Sequence, residues 1–127
     1  MPVLSHVDRE KHTILRTASG ILQTTDIIET IQQTLSLPSF VTGMHAIWDI
    51  TNADVSHLER GDMLVVVDYI QSNTDKRGSG YKIAIAADRD ISFGIARMFA
   101  ILCDGLPFSI AVFRSMELAR NWISSES

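Results

Sequence analysis

The chain has 127 residues, of which 46% are apolar and 20% are charged. This composition is typical of a folded protein with room for one domain, residues 1–127, and it excludes a largely disordered chain. The formal charge of −4, with few and scattered basic residues, argues against a nucleic-acid-binding protein.

The cellular compartment is indicated by cysteine content and by apolar runs. Cys103 is the single cysteine of the sequence and cannot form an intramolecular disulfide, which favours a reducing cytoplasm. We expect no signal peptide, because the first residues lack a charged segment followed by an apolar one. No apolar run approaches the roughly 20 residues that cross a bilayer. The sequence therefore predicts a cytoplasmic protein without an integral membrane segment.

The first half of the chain predicts a hairpin, a helix and a strand. Segments 4–7 and 12–17 flank the charged residues 8–11 and fit an antiparallel hairpin. Residues 24–26 are typical of a helix start, and the apolar residues that follow recur along one side of a helix. A loop then leads into a predicted strand at 46–50.

The second half predicts alternating helices and strands. A helix at about 58–71 and an exposed turn at 74–80 precede strand 81–87, helix 91–103, strand 108–113 and helix 115–123. Short apolar strands alternating with helices are typical of a parallel sheet with crossover helices. The predicted fold is α/β, in the order ββαβαβαβα, with a mixed, mostly parallel sheet and an N-terminal antiparallel hairpin.

The most distinctive run of the chain is Phe-Gly-Ile-Ala-Arg-Met-Phe at 93–99. Together with segments 47–50, 81–85, 106–108 and 112–123, it resembles the SpoIIAA-like family of small bacterial proteins. The resemblance covers most of the chain. It implies a fold shared with STAS domains, such as anti-sigma-factor antagonists, and more distantly with lipid-carrying Sec14-type domains. It implies no reaction and no cofactor.

The resemblance also points to Ser56 as a candidate switch. STAS antagonists carry a phosphorylated serine at the start of the helix after the central strand, within an Asp-Ser-Ser/Thr-Gly-like motif. The corresponding segment here, 54–57, is Asp-Val-Ser-His and departs from that motif. A phosphate at a helix start would meet free backbone N–H groups. The alternative is that Ser56 caps the helix or lies in the loop.

Polar residues are predicted at the carboxyl ends of the parallel strands, where ligands gather in open α/β sheets. Asp49 and Asp88 are candidates for binding a divalent cation or for acid/base chemistry, with Arg114 at the end of the next strand. The alternative is structural: Asp90 or Ser92 caps the following helix, and Asp49 bonds to a backbone N–H or to Arg114. The four histidines lack the spacing of a zinc site, so no metal is predicted.

The predicted helix 91–103 is apolar on both sides, which requires cover on both sides. We expect its sheet-facing side to carry Ile91, Ile95, Met98, Phe99 and Leu102. We expect its outer side to carry Phe93, Ala96, Arg97, Ala100 and Cys103, with Leu64 and Val67 exposed on the helix before it. The cover is a second copy of the chain, a different protein or an apolar ligand; the alternative is that Phe93 is simply an isolated exposed apolar residue.

Two function hypotheses follow. The first is a non-enzymatic protein-interaction or regulatory module that forms a homodimer through this outer side, since two-fold dimers are the commonest oligomers. The second is a carrier of a small apolar or lipid-like ligand covered by the same helices. An enzyme that uses Asp49 and Asp88 ranks third.

Overall fold

The computed structural model describes residues 2–125, so Met1, Glu126 and Ser127 lie outside it. Its five strands are β1 (Val3–Asp8), β2 (Thr13–Ile21), β3 (His45–Asp54), β4 (Lys82–Ala86) and β5 (Ser109–Phe113). Its helices are α1 (Thr24–Leu35), α2 (Arg60–Ser72), the one-turn α3 (Thr74–Arg77), α4 (Asp90–Leu102) and α5 (Met116–Ser124). None of the helices within residues 2–125 is long and apolar enough to cross a membrane.

The strands form one sheet in the order β1-β2-β3-β4-β5. β1 runs antiparallel to β2, and each later neighbouring pair is parallel. The predicted α/β class, the N-terminal hairpin and the mostly parallel sheet are therefore confirmed. Two strands run further than predicted, because β2 continues to Ile21 and β3 continues to Asp54.

Three long helices cover one face of the sheet and α5 covers the other. Ile14, Ala46, Ile83 and Ile110 are successive partners across four strands, and they belong to the core on the side of α1, α2 and α4. Because side chains alternate between the faces of a strand, their neighbours, such as Ile47 and Ala84, pack instead with α5.

The predicted orientation of α4 is wrong for some residues and right for others, because Ile95 and Phe99 pack against the core as predicted. Ala96 is only 4% exposed and packs into the core, as does Cys103, whereas Ile91 and Ile101 are 65% and 69% exposed. Both sides of this helix are apolar, so its period alone does not decide which side faces the sheet. The small side chain of Ala96 lies in the core, whereas the larger Ile91, Met98 and Ile101 are exposed.

Candidate functional site

A cavity of about 110 Å³ lies between the sheet and helices α1, α2 and α4. Most of its lining is apolar and includes Ile31, Trp48, Met63, Val66, Ile85 and Phe99. Trp48 lies on the central strand β3 and is nevertheless only half-buried, as are Ile27 and Leu58 in the same lining. The cavity is therefore open to solvent.

The cavity extends along α2. Asp62, in the first turn of α2, and Asn73, which follows its last residue, both line it. At 1.5 Å per helical residue these two positions are about 16 Å apart along the helix axis. The two ends differ in charge, because Asp62 lies at one end and two arginines lie beyond the other.

Arg16 is the first of these arginines. It projects from β2 on the same face as Ile14 and Ala18, and its residue is 2% exposed. Its Nη1 donates to Thr34 Oγ1 at 3.1 Å, and its Cζ lies 4.9 Å from the ring centroid of Trp48. Nε has no hydrogen-bond partner within residues 2–125. Burial, reinforced by repulsion from Arg77, lowers the pKa of Arg16 to about 9.

Arg77 ends α3 and is 6% exposed. Its Cζ lies 3.7 Å from the ring centroid of Tyr81 and 5.7 Å from that of Phe40. Neither Nη1 nor Nη2 has a hydrogen-bond partner in the part of the chain that the structure describes. Burial lowers the pKa of Arg77. The expectation of an exposed turn at 74–80 is wrong at this residue, because the guanidinium is buried against aromatic rings.

Neither arginine is neutralised by a carboxylate of the described chain. The single salt bridge found there joins Arg114 to Asp90. A buried charge without an opposite partner is costly, since it has lost its hydration and gained nothing in return. The arrangement thus places two cations, with unpartnered N–H donors, beside an apolar space.

Asp49 lies in the middle of β3 and not at a strand end, which corrects the prediction. Its Oδ1 accepts hydrogen bonds from Thr51 N at 3.1 Å and from Thr51 Oγ1 at 2.7 Å. Asp88 follows β4 and is exposed. Residues 2–125 contain no group of three or more His, Cys, Asp or Glu side chains placed to hold a metal ion.

The Arg114 side chain links the end of β5 to the start of α4. Its Nη1 donates to Asp90 Oδ1 at 2.7 Å and to the Asp88 carbonyl at 3.3 Å. Its Cζ lies 4.0 Å from the ring centroid of Phe93. The expected helix cap is wrong, because Asp90 bonds to Arg114, Ser92 is buried and no side chain caps this helix.

Ser56 is exposed in the turn after β3. Its Oγ donates to Asp54 Oδ1 at 2.6 Å, and its backbone N donates to the same oxygen at 2.9 Å. These two bonds lower the pKa of Asp54. The helix α2 begins only at Arg60, so Ser56 neither caps it nor lies at its first free N–H groups. A phosphate on Ser56 would meet the Asp54 carboxylate.

The predicted interface residues lie in three places. Phe93, Arg97 and Ala100 line an open groove between α4 and β5, together with Ile101, Ile110 and Val112. Ala96 is wrong as an outer residue, because it lines the internal cavity beside Ile95 and Phe99. Leu64 is exposed on α2, and Val67 is half-buried there.

The residues that sequence reasoning missed are the two buried arginines. Strand alternation contained a signal for Arg16, since it shares a face with the buried Ile14 and Ala18. Arg77 lies in a polar segment with two following glycines, and that pattern is typical of an exposed turn.

Comparison with known proteins gives one informative likeness. No model of a known protein family matches the sequence, and no curated protein matches it. The structure is similar to the crystal structure of an uncharacterized DUF3478-family protein with a SpoIIAA-like fold from Shewanella loihica PV-4, with a TM-score of 0.62. The two chains are 18% identical, over 95% of this chain and 93% of that one. At this identity the likeness shows the fold, and the chain has a SpoIIAA-like fold, as its sequence resemblance implies.

Proposed function

We propose that this protein is a non-enzymatic binding protein that carries a small apolar ligand in the cavity between the sheet and α1, α2 and α4. The observation that carries the proposal is an open, mostly apolar cavity inside a small domain. Protein interiors are normally close-packed, and ligand sites are typically concave and apolar with a few polar groups. The distant resemblance to lipid-carrying Sec14-type domains agrees with it by analogy.

The cavity volume sets the size of the ligand. A water-sized group needs about 10–15 Å³ on this scale, so 110 Å³ holds roughly ten non-hydrogen atoms. Octanamide is a suitable neutral probe, since it has an apolar chain and about that number of atoms. A medium-length acyl chain or a small aromatic compound fits the same space.

Trp48 reports directly on occupancy, because it lines the cavity and is one of two tryptophans in the chain. In a Trp122→Phe background, titration with octanamide is expected to change the Trp48 emission saturably. Ala96→Leu, which extends a lining side chain into the cavity, is expected to weaken octanamide binding at least tenfold. Asn121→Leu, on the exposed surface of α5, is the matched control and is expected to bind normally.

The same proposal has a test without substitution. Native mass spectrometry of the wild-type protein after mild extraction is expected to show a co-purifying small molecule. A flat octanamide titration combined with a bare protein mass would overturn the carrier function.

A second candidate is self-association through the groove between α4 and β5. Within residues 2–125, β5 is an edge strand whose one neighbour in the sheet is β4, so its outer N–H and C=O groups are a template for another strand. Ile101 borders the groove and is 69% exposed. In such a dimer, β5 of one copy would pair with β5 of the other copy, and the Ile101 side chain would be covered.

Sedimentation velocity tests the dimer. The wild-type protein is expected to sediment as a dimer and Ile101→Glu as a monomer, because a charge in the interface must lose its hydration. Leu118→Glu, which changes an exposed apolar residue of α5 outside the groove, is expected to leave the dimer intact. A wild-type protein that sediments as a monomer at about 100 μM would remove this candidate.

A further inference from the structure

We infer that the ligand is an amphipathic oxyanion, whose carboxylate or phosphate group binds Arg16 and Arg77 while its apolar part fills the cavity. The inference rests on the proposed carrier function and adds the chemical class of the ligand. It starts from two arginines that are each more than nine-tenths buried, line the cavity and retain unpartnered N–H groups within residues 2–125.

Arg16 is held in one orientation by its surroundings. Thr34 Oγ1 donates its single hydrogen to the Thr30 carbonyl at 2.9 Å, so it meets Arg16 Nη1 as an acceptor. One branch of the guanidinium is thereby fixed, and the Nε–H on the opposite edge is left without a partner. A rigid planar fork with a free edge is suited to binding an oxyanion.

Arg77 is positioned by stacking and not by hydrogen bonds. Its guanidinium lies 3.7 Å from the Tyr81 ring centroid, an interaction that occupies the flat face of the group. The N–H donors lie in the plane of the guanidinium, and both Nη1 and Nη2 remain unpartnered. This terminal pair matches the two oxygens of a carboxylate or two oxygens of a phosphate.

The positive and negative side chains of the cavity lie at opposite ends. Arg16 and Arg77 line the same cavity, and repulsion from Arg77 contributes to the lowered pKa of Arg16. The one carboxylate of the lining, Asp62, lies at the far end of α2 and accepts the Glu59 backbone N–H at 2.9 Å. An anion at the arginine end would relieve both the repulsion and the lost hydration, whereas a neutral ligand would relieve neither.

The ligand also needs an apolar part. An inorganic anion alone would leave most of the apolar lining uncovered. Octanoate has the roughly ten non-hydrogen atoms for which the cavity has room, and octanamide is its neutral counterpart of the same size. Pentyl phosphate presents the other kind of head group and also has ten non-hydrogen atoms.

The test compares these three probes by Trp48 emission in the Trp122→Phe protein. We expect octanoate or pentyl phosphate to bind at least tenfold more tightly than octanamide, which corresponds to about 1.4 kcal/mol. The tighter of the two anions identifies the head group as carboxylate or phosphate.

Substitutions test whether the arginines cause the tighter binding of anions than of octanamide. Arg16→Met and Arg77→Met each remove one of the two cations, and each is expected to lower the ratio of anion affinity to octanamide affinity at least threefold. Arg77→Lys keeps the charge without the planar fork and is expected to give an intermediate preference. Arg120→Met, on the exposed surface of α5, is the control and is expected to keep the full preference.

The outcomes separate this inference from the carrier function. Affinity for octanamide equal to that for both anions overturns the oxyanion site and leaves an apolar-ligand carrier. Failure of all three probes overturns both. Should the methionine variants fold poorly, the wild-type melting temperature decides: the tighter anion is expected to raise it more than octanamide at the same concentration, and equal shifts with all three probes contradict the inference.

Discussion

His45 accepts a hydrogen bond that requires a neutral ring. Its Nδ1 accepts from the Lys82 backbone N at 2.9 Å, which joins the starts of β3 and β4. Burial lowers the pKa of His45 below its ordinary value of 6.5, with smaller contributions from His12 and Lys82. His45 therefore stays neutral in the folded protein at pH values at which the same side chain is protonated in the unfolded chain. The resulting stability is present above pH 6.5 and is lost as the pH falls.

His45→Asn tests this dependence, because the Asn carbonyl accepts a hydrogen bond without titrating. Between pH 7.5 and pH 5, the wild-type free energy of unfolding is expected to fall more than that of the variant. Urea denaturation at both pH values measures the difference between the two losses. His6→Asn, an exposed change on β1, is expected to keep the wild-type dependence. Parallel losses in wild type and His45→Asn would contradict the assignment.

At the scale of elements, the one-turn helix α3 and the glycine that follows it determine the position of Arg77. Gly78 has φ 93° and ψ −165°, a conformation reserved almost entirely for glycine. A Cβ at this position would lie 2.7 Å from Thr42 Cγ2 and 2.8 Å from Gly43 N. Gly43 N in turn donates to the Arg77 carbonyl at 2.9 Å, so the loop before β3 and α3 support each other.

Gly78→Ala is expected to lower the free energy of unfolding by about 1–3 kcal/mol, through backbone strain and collision with Gly43. Gly94→Ala is the matched control, because Gly94 lies within α4 and a Cβ there meets nothing within 4 Å. That change is expected to stabilise the protein by about 0.5–1 kcal/mol. Chemical denaturation of both variants measures the contrast, and equal effects of the two substitutions would refute it.

The elements themselves were largely predictable, whereas the faces they bury were not. Short apolar strands between amphipathic helices indicate a parallel sheet because each strand is covered on both sides. The same reasoning fails for α4. Ala96 and Met98 are both apolar, and only contact with α2 and the sheet determines which of them is buried. The second half of β3 was not predicted, because residues 51–54 are mostly polar. In the structure its exposed Asn52 and Asp54 alternate with the half-buried Thr51 and the buried Ala53.

At the scale of the whole molecule, the sheet order follows from the sequence but the cavity does not. Its walls come from α1, α2, α4 and the sheet together, and its volume depends on how far apart these layers settle. Nothing local to Arg77 indicates that this residue of a polar segment lines the same cavity as Arg16, which lies 61 positions earlier on β2. Their common position in the cavity lining depends on how the helices pack against the sheet.

The two buried arginines have a consequence for the life of the protein in the cell. Under the proposed carrier function, a chain with a bound oxyanion unfolds less often than an empty one, because mass action favours the occupied native state. Proteases remove mainly unfolded chains, so empty molecules would be degraded first. The cellular amount of this protein would then rise and fall with the supply of the compound it carries, without any change in its synthesis.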